Sequence, residues 1–208
     1  MILRVSEFYD LPKRHFGAIL ADPPWRFETY NENGRGRCPD WKPFKWSPSI
    51  HYDTIGSNDV AAMPVESLAR DDACLFMWIS WPMLEDALAI MSAWGFKYKT
   101  CGFAWLKADV STINMFDGPV GVQIGTGYWT RSNSEVCLLA TRGKPKRLNA
   151  DVRQGIIAPR REHSRKPDGI HERIERLVAG PYLELFARQR RPGWTVWGNE
   201  TEKFKATA

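Results

Sequence analysis

The sequence lacks any long hydrophobic run. Its longest uninterrupted apolar stretch covers residues 73–79, whereas a membrane-spanning helix needs about 20 apolar residues. The first residues also lack the pattern of a secretory signal peptide, because Arg4, Glu7 and Asp10 interrupt the segment in which an apolar core would lie. We therefore expect a cytoplasmic protein that does not act in a membrane.

Cysteine and histidine are too few and too scattered for a structural metal site. The chain has four of each, with no C-x-x-C pair and no histidine at zinc-ligand spacing. Cys74, Cys101 and Cys137 stand among apolar residues, where free thiols behave as small buried hydrophobes. A G-x-G-x-x-G loop is also absent, which excludes a nucleotide-binding domain that begins with that glycine-rich loop.

Length and the alternation of elements indicate one α/β domain over residues 1–208. The composition, 43% hydrophobic and 25% charged, is that of an ordinary globular domain. Apolar runs and helical spacing predict, in chain order, strands at 16–21, 73–80, 96–107, 134–140, 182–187 and 195–197, and helices at 57–70, 83–94 and 167–179. This alternation favours a mostly parallel, doubly wound sheet flanked by helices.

Three features lie outside these elements. Long loops at about 26–56, 108–131 and 141–166 are rich in Gly, Pro and basic residues, and we expect them to face the substrate. Ser57 or Asn58 is expected to cap the first helix. The polar segment from Thr201 onward is expected to fray.

Positive charge is concentrated in the second half of the chain. The net charge is +5, but residues 1–130 hold 12 basic and 15 acidic side chains, whereas residues 131–191 hold 15 basic and 7 acidic ones. This asymmetry is typical of a face that meets nucleic acid, although a solvated basic surface gives the same count. The candidate phosphate contacts are Arg131, Arg142, Lys144, Lys146, Arg147, Arg160 and Arg161.

The most specific motif is Asp22-Pro23-Pro24-Trp25, directly after the first predicted strand. Ligands of parallel α/β sheets bind at the carboxyl ends of the strands. The prolines stiffen the turn, the Asp22 carboxylate and the Pro23 carbonyl can accept hydrogen bonds, and Trp25 offers a ring face to a base. A proline turn with a local aspartate cap remains the alternative without such a function.

The tetrapeptide resembles the D-P-P-W signature of amino-methyltransferases that act on the N6 of adenine. The amine nitrogen of adenine is a poor nucleophile because its lone pair is delocalised into the ring. Two fixed acceptors that take both amine protons would hold the nitrogen toward a methyl donor. Such a reaction depends on positioning rather than on a metal.

The D-P-P-W tetrapeptide and five further stretches in the same order resemble the MT-A70 family, which includes the adenosine N6-methyltransferases of messenger RNA and bacterial or phage relatives. The resemblance covers about residues 14–200. Its motifs are the D-P-P-W tetrapeptide, His51-Tyr52-Asp53-Thr54-Ile55, Leu75-Phe76-Met77-Trp78-Ile79, Thr126-Gly127-Tyr128-Trp129, Ser164-Arg165-Lys166-Pro167-Asp168, and Glu184-Leu185-Phe186-Ala187-Arg188 with Gly198-Asn199-Glu200. It implies a permuted Rossmann-like methyltransferase fold, in which the donor-binding strand comes late.

The resemblance also implies roles for individual residues. S-adenosylmethionine would be the cofactor, with Lys166 near its methionyl carboxylate and Arg188 and Asn199 near its ribose. The remaining residues of this implied donor pocket are Phe186, Arg190 and Glu200. Tyr52, Trp129 and Glu135 would lie on the substrate side, and Asp22, Pro23, Pro24 and Trp25 would be the catalytic turn.

These observations predict methyl transfer from S-adenosylmethionine to the N6 of adenine in DNA, the choice of DNA resting on the resemblance to small bacterial and phage members. Methylation of RNA is the alternative, and so is a catalytically silent scaffold that binds nucleic acid or a partner. Methylation of cytosine N4 is disfavoured, because that motif usually begins with serine rather than Asp22. The size of the chain leaves open a homodimer or a helper subunit.

Overall fold

The computed structural model describes residues 5–25, 55–108, 129–130, 132–162 and 164–204. Within these ranges the strands are β1 (Phe16–Ala21), β2 (Ala69–Ile79), β3 (Lys97–Lys107), β4 (Ser134–Arg142), β5 (Gly155–Ala158), β6 (Tyr182–Leu185) and β7 (Trp194–Trp197). The helices are α1 (Val5–Tyr9), α2 (Ser57–Ala61), α3 (Leu84–Ala93) and α4 (Ile170–Leu177).

The strands form one sheet in the order β5-β3-β4-β2-β1-β6-β7. Only β4 pairs antiparallel with its neighbours, and the other pairs are parallel. The prediction of a mostly parallel α/β sheet is therefore confirmed. We call the edge where the six parallel strands end and β4 begins the carboxyl edge, and the opposite edge the amino edge.

Helices cover both faces of the sheet, which explains the continuous apolar character of β1. Ile19 and Ala21 belong to one buried cluster with residues of α2 and α3, whereas Ala18 and Leu20 belong to a second cluster with residues of α4. Alternate side chains of a strand point to opposite faces, so a strand that is covered on both sides is apolar throughout. The second face is the one on which the candidate site lies.

The first predicted helix, 57–70, is wrong in its second half. α2 ends at Ala61, Val65–Ser67 is a short 3-10 turn, and β2 already begins at Ala69. Pro64 explains the break, because proline removes a helical donor and restricts the residue before it. The residue before α2 is Gly56, with no side-chain cap from Ser57 or Asn58.

The segment 141–166 is not the single loop that was predicted. It contains β5, which pairs in parallel with β3. Four residues are too few to show a period, and Ile157 on this edge strand is 60% exposed. α1 was likewise not predicted, because five residues carry too little pattern.

The described cysteine side chains are buried or half-buried. Cys74 and Cys137 are buried and Cys101 is half-buried. Burial raises the pKa of the Cys74 thiol to about 11.

The segment after β7 was expected to fray from Thr201 onward. Up to Phe204 it does not, because the Phe204 backbone N–H donates to the Arg188 carbonyl at 3.1 Å. Among the described residues, no helix is long and apolar enough to span a membrane.

Candidate active site

The Asp-Pro-Pro-Trp turn begins where β1 ends, at the carboxyl edge. Asp22 follows Ala21, the last residue of β1, between the ends of β2 and β6. The Trp25 N–H donates to the Pro23 carbonyl at 2.8 Å, which leaves that oxygen one further lone pair. The Pro24 carbonyl accepts from the Ile55 N–H at 3.1 Å. The backbone thus holds the turn in one conformation.

Trp25 does not present a ring face to a base in this structure. Its side chain is 5% exposed, and the indole N–H donates to the Trp78 carbonyl at 3.0 Å. The prediction of a stacking surface at Trp25 is corrected: a large aromatic side chain beside the end of β2 is better buried than solvated. Trp25 anchors the turn to β2.

Asp22 belongs to a network of four charged side chains. The Lys166 ammonium lies 2.8 Å from an Asp22 oxygen and 3.3 Å from Glu135, and the Lys107 ammonium lies 2.5 Å from the other oxygen of Glu135. Their side chains are 13–21% exposed. Lys166, predicted near the methionyl carboxylate of the donor, is therefore bound to two carboxylates of the protein, and its contact with a donor stays a prediction.

The pKa values of the two carboxylates in this network are shifted in opposite directions. Burial raises the pKa of Asp22 above its ordinary value, although Lys166 opposes this shift. Burial would also raise the pKa of Glu135, but Lys166 and Lys107 outweigh it and lower that pKa to about 2. Lys166 is thus the main group that favours the ionised form of Asp22, whereas Glu135 is ionised at any physiological pH.

A cleft that is open to solvent lies beside this network. Its walls are the ends of β1 and β6, the segment that leads into α4, and the segment after β7. The predicted donor-pocket residues Lys166, Phe186 and Arg188 all line it, together with Asp22. The structure thus brings together the catalytic turn and half of the predicted donor residues.

Two residues that line the cleft have backbone conformations that are rare outside glycine. Ser164 and Phe186 have φ angles of 60° and 63°. Such conformations cost about 1–3 kcal/mol each and tend to occur at ligand sites. Next to Phe186, a Cβ on Gly198 would lie 2.7 Å from the Ala187 carbonyl oxygen, so only glycine allows this approach of the two segments.

Three buried polar atoms of the cleft lining have no hydrogen-bond partner among the described residues: Trp78 Nε1, Arg165 Nε and His171 Nδ1. Unpaired buried polar groups cost roughly 1–3 kcal/mol each. The first two are donors. His171 Nε2 lies 2.8 Å from a Glu184 oxygen, so in the tautomer protonated at Nε2 the free Nδ1 is an acceptor. Two donors and an acceptor fit a zwitterionic amino acid such as the methionyl part of S-adenosylmethionine.

The predicted ribose side of the pocket is assembled only in part. Arg188 Nε donates to Glu200 at 2.9 Å, which joins two of the predicted residues. Arg190 instead pairs with Glu202 on the surface, and neither Arg190 nor the exposed Asn199 belongs to the cleft lining.

The basic turn 142–147 lies at the amino edge, away from Asp22. Arg142 pairs in register with Ala73 near the start of β2, whereas Asp22 follows the strand end that is level with Met77. Arg142 binds the Glu66 carboxylate, and the Lys144 N–H donates to Asp72. Lys146 and Arg147 are exposed at the same edge. These four residues therefore do not lie beside the catalytic turn, because β4 runs antiparallel and carries its end to the far edge. Their contact with nucleic acid stays a prediction.

Other predicted substrate contacts have different outcomes. Arg160 and Arg161 follow β5 at the carboxyl edge, and Arg161 pairs with Asp168 at 2.6 Å. Trp129 is 99% exposed. Tyr52 and Arg131 lie outside the described residues.

Sequence reasoning missed four residues of the site: Lys107, His171, Glu184 and Phe204. Glu184 was quoted only as part of a motif, although its position two residues before Phe186 predicts a side chain on a sheet face at the strand end. Phe204 lies between the guanidinium carbons of Arg165 and Arg188, which are 4.9 and 4.8 Å from its ring centre. Nothing in the polar sequence around Phe204 indicated this contact.

A mostly parallel sheet with an acidic proline turn and a polar cleft at its carboxyl edge has the architecture of an S-adenosylmethionine-dependent methyltransferase. Comparison with known sequences identifies the family. The MT-A70 family profile matches residues 16–200, and the chain belongs to this family.

Individual relatives differ in how much of their length the chain covers. The chain is 32% identical over 204 residues to the Type II methyltransferase M.MunI of Mycoplasma sp, and the match covers 93% of this chain and 81% of that protein. It is 28% identical to an N(6)-adenosine-methyltransferase MT-A70-like protein of Arabidopsis thaliana, of which it covers 24%. It is 27% identical to the N(6)-adenosine-methyltransferase catalytic subunit METTL3 of Homo sapiens, of which it covers 28%. The chain thus spans about a quarter of these two plant and animal relatives.

Proposed function

We propose that this protein transfers a methyl group from S-adenosylmethionine to the exocyclic N6 of adenine in DNA. The observation that carries the proposal is the carboxylate of Asp22, fixed at the end of β1 and paired with Lys166 at the mouth of a polar cleft. Membership of the MT-A70 family and the N(6)-adenosine-methyltransferase names of several relatives support the reaction.

The catalytic turn supplies two acceptors for the target amine. The ionised Asp22 carboxylate accepts a hydrogen bond from one N–H of the amine, and the free lone pair of the Pro23 carbonyl accepts a hydrogen bond from the other. Both acceptors are held by the backbone bonds of the turn, so little reorganisation is needed during the reaction. Lys166 opposes the rise in the pKa of Asp22 that burial causes, and so favours its ionised form.

The cleft provides the place for the methyl donor. The unpartnered atoms of Trp78, Arg165 and His171 match its carboxylate and ammonium, and Arg188 with Glu200 offers polar groups for its ribose. When bound, S-adenosylmethionine supplies an electrophilic methyl group on a sulfonium. The side chains of the cleft orient it beside Asp22 and limit the access of water.

DNA is proposed over RNA because the chain is more similar to the Type II methyltransferase of Mycoplasma sp, at 32% identity, than to the two N(6)-adenosine-methyltransferase relatives, at 27–28%. Its motifs also resemble those of the small bacterial and phage members of the family. The target base must reach Asp22 outside the helical stack, either flipped out or already single-stranded.

The test is incubation of the protein with tritiated S-adenosylmethionine and, separately, unmethylated duplex DNA, single-stranded DNA and RNA. Nucleoside mass spectrometry then identifies the product. Asp22→Asn removes the charge at nearly constant shape, and Asp71→Asn is the matched control, because Asp71 is 72% exposed in a pair with Arg14 near the start of β2.

We expect N6-methyldeoxyadenosine with the wild-type protein and with Asp71→Asn. Asp22→Asn should give none while calorimetry still detects donor binding. Methylation of RNA but not of DNA would show that the substrate is RNA rather than DNA. Donor binding without transfer to any nucleic acid would contradict the proposed activity, and the absence of both would favour a silent scaffold.

A further inference from the structure

Lys107 is the last residue of β3, and no motif in the sequence points to it. Its ammonium is 2.5 Å from one oxygen of Glu135, whose other oxygen is 3.3 Å from Lys166. Lys166 in turn is 2.8 Å from Asp22. The four side chains therefore form a row of alternating charge that ends at the catalytic turn.

The packing around this row fixes both lysines. The Lys107 ammonium lies 5.2 Å from the centre of the Trp105 ring, and the Lys166 ammonium lies 5.7 Å from that of Trp78. Trp105 also pairs with Glu135 in the β3–β4 register, so all of these groups share one face of the sheet. With each charged side chain only 13–21% exposed, water screens their interactions weakly.

We propose that Lys107 is a positioning residue for Asp22, which holds Glu135 so that Lys166 remains shared between Glu135 and Asp22. This inference rests on the proposed function, because an ionised Asp22 is important only for that reaction. The positions of the four side chains in the row do not depend on the proposed function.

Removing the Lys107 charge has a definite consequence for Asp22. Glu135 would keep Lys166 as its remaining close cation, and the attraction would draw the ammonium away from Asp22. The other titratable or charged groups that act on Asp22 are Glu135 and Cys137 on β4 and Arg188 after β6. Of these, only the Arg188 guanidinium favours the ionised carboxylate, so burial would dominate and Asp22 would protonate at higher pH.

The experiment measures the titration of the Asp22 side chain directly. Carboxyl ¹³C NMR is recorded against pH for the wild-type protein, Lys107→Met and Lys107→Arg, and the Asp22 signal is assigned by its absence in Asp22→Asn. Lys97→Met is the matched control, because Lys97 is an exposed lysine at the other end of the same strand. Thermal unfolding checks that each variant is folded, and the pH dependence of kcat/KM is measured in parallel.

We expect the Asp22 pKa to rise by on the order of one pH unit in Lys107→Met. Lys107→Arg should restore the wild-type value, and Lys97→Met should leave it unchanged. The acid limb of kcat/KM should move by the same amount. An unchanged Asp22 titration in folded Lys107→Met would overturn the inference, whatever the activity. A shifted titration in a protein that methylates no nucleic acid would instead overturn the proposed function and leave the positioning role standing.

Discussion

The charged residues at the two edges of the sheet lie in very different surroundings. At the carboxyl edge, Asp22, Glu135, Lys107 and Lys166 are 13–21% exposed and share their ion pairs. At the amino edge, the Arg14–Asp71 pair is 68–72% exposed, and Arg142 binds Glu66, which is 57% exposed. Exposed pairs contribute little, whereas breaking a buried one leaves an uncompensated charge.

The position of a charged residue at one edge or the other, rather than the number of charges along the chain, indicates whether it belongs to the candidate site. Counting basic residues along the chain led to the turn 142–147, but only the path of β4 decides to which edge that turn belongs. The carboxyl edge also holds the unpartnered polar atoms of the cleft, and Ser164 and Phe186 have positive φ there, as Arg14 does at the amino edge. The unpartnered buried atoms are a cost that a scaffold without a ligand has no reason to keep.

The largest effect is expected when the shared cation of the carboxyl edge is removed. Lys166→Met should lower kcat/KM roughly 10²–10³-fold, because two buried carboxylates lose their common partner and the pKa of Asp22 rises further. Lys146→Met, at the amino edge, should change kcat/KM less than about twofold. Steady-state kinetics of both variants at pH 8 provide the comparison, and equal losses would mean that the two edges are not distinct in function.

A second effect concerns stability and its dependence on pH. The pKa of Glu135 is lowered from 4.5 to about 2, so its ionised form stabilises the fold above pH 4.5, and this contribution is lost as pH falls through about 2. Glu135→Gln should lower the free energy of unfolding by about 2–3 kcal/mol at pH 6, and the difference should shrink below pH 4.5.

The amino edge again supplies the comparison for this experiment. Glu66→Gln removes an exposed partner of Arg142 and should cost less than about 1 kcal/mol at the same pH. Urea unfolding between pH 3 and pH 6 gives both values. A pH-independent difference for Glu135→Gln would show that its pairing with the two lysines does not stabilise the fold.

The sequence predicted the strands with the strongest patterns and the catalytic turn, but not how they come together. β1 was predicted to the residue because an apolar run makes up the whole strand, and the predicted β3 began one residue early. β5 and α1 are too short to show a period. The placement of Lys107 beside Glu135 depends on the register between β3 and β4, which no local pattern encodes. Trp25 was misinterpreted because its neighbours in sequence are polar, whereas its neighbours in space are apolar.

A smaller effect is expected at the donor side of the cleft. Phe204 packs between two guanidinium groups that line it, so Phe204→Ala should weaken donor binding roughly tenfold by releasing both arginines. Phe204→Tyr keeps the ring and should bind as the wild type does. Tyr98→Ala removes a 43% exposed aromatic side chain near the amino-edge end of β3 and is the control. Isothermal titration calorimetry with S-adenosylmethionine measures all three, and an unchanged affinity in Phe204→Ala would exclude Phe204 from the donor site.

The smallest expected effect tests the two edges as surfaces for nucleic acid. Arg160 follows β5 at the carboxyl edge, and Lys146 is exposed at the amino edge. Arg160→Gln and Lys146→Gln each remove one positive charge, so a purely electrostatic attraction would make them equal. We expect Arg160→Gln to raise KM for nucleic acid about threefold at low salt and to reduce the slope of log affinity against log salt by about one, with Lys146→Gln near the wild type. A larger effect of Lys146→Gln would mean that nucleic acid binds at the amino edge, where the basic turn 142–147 lies, rather than at the carboxyl edge.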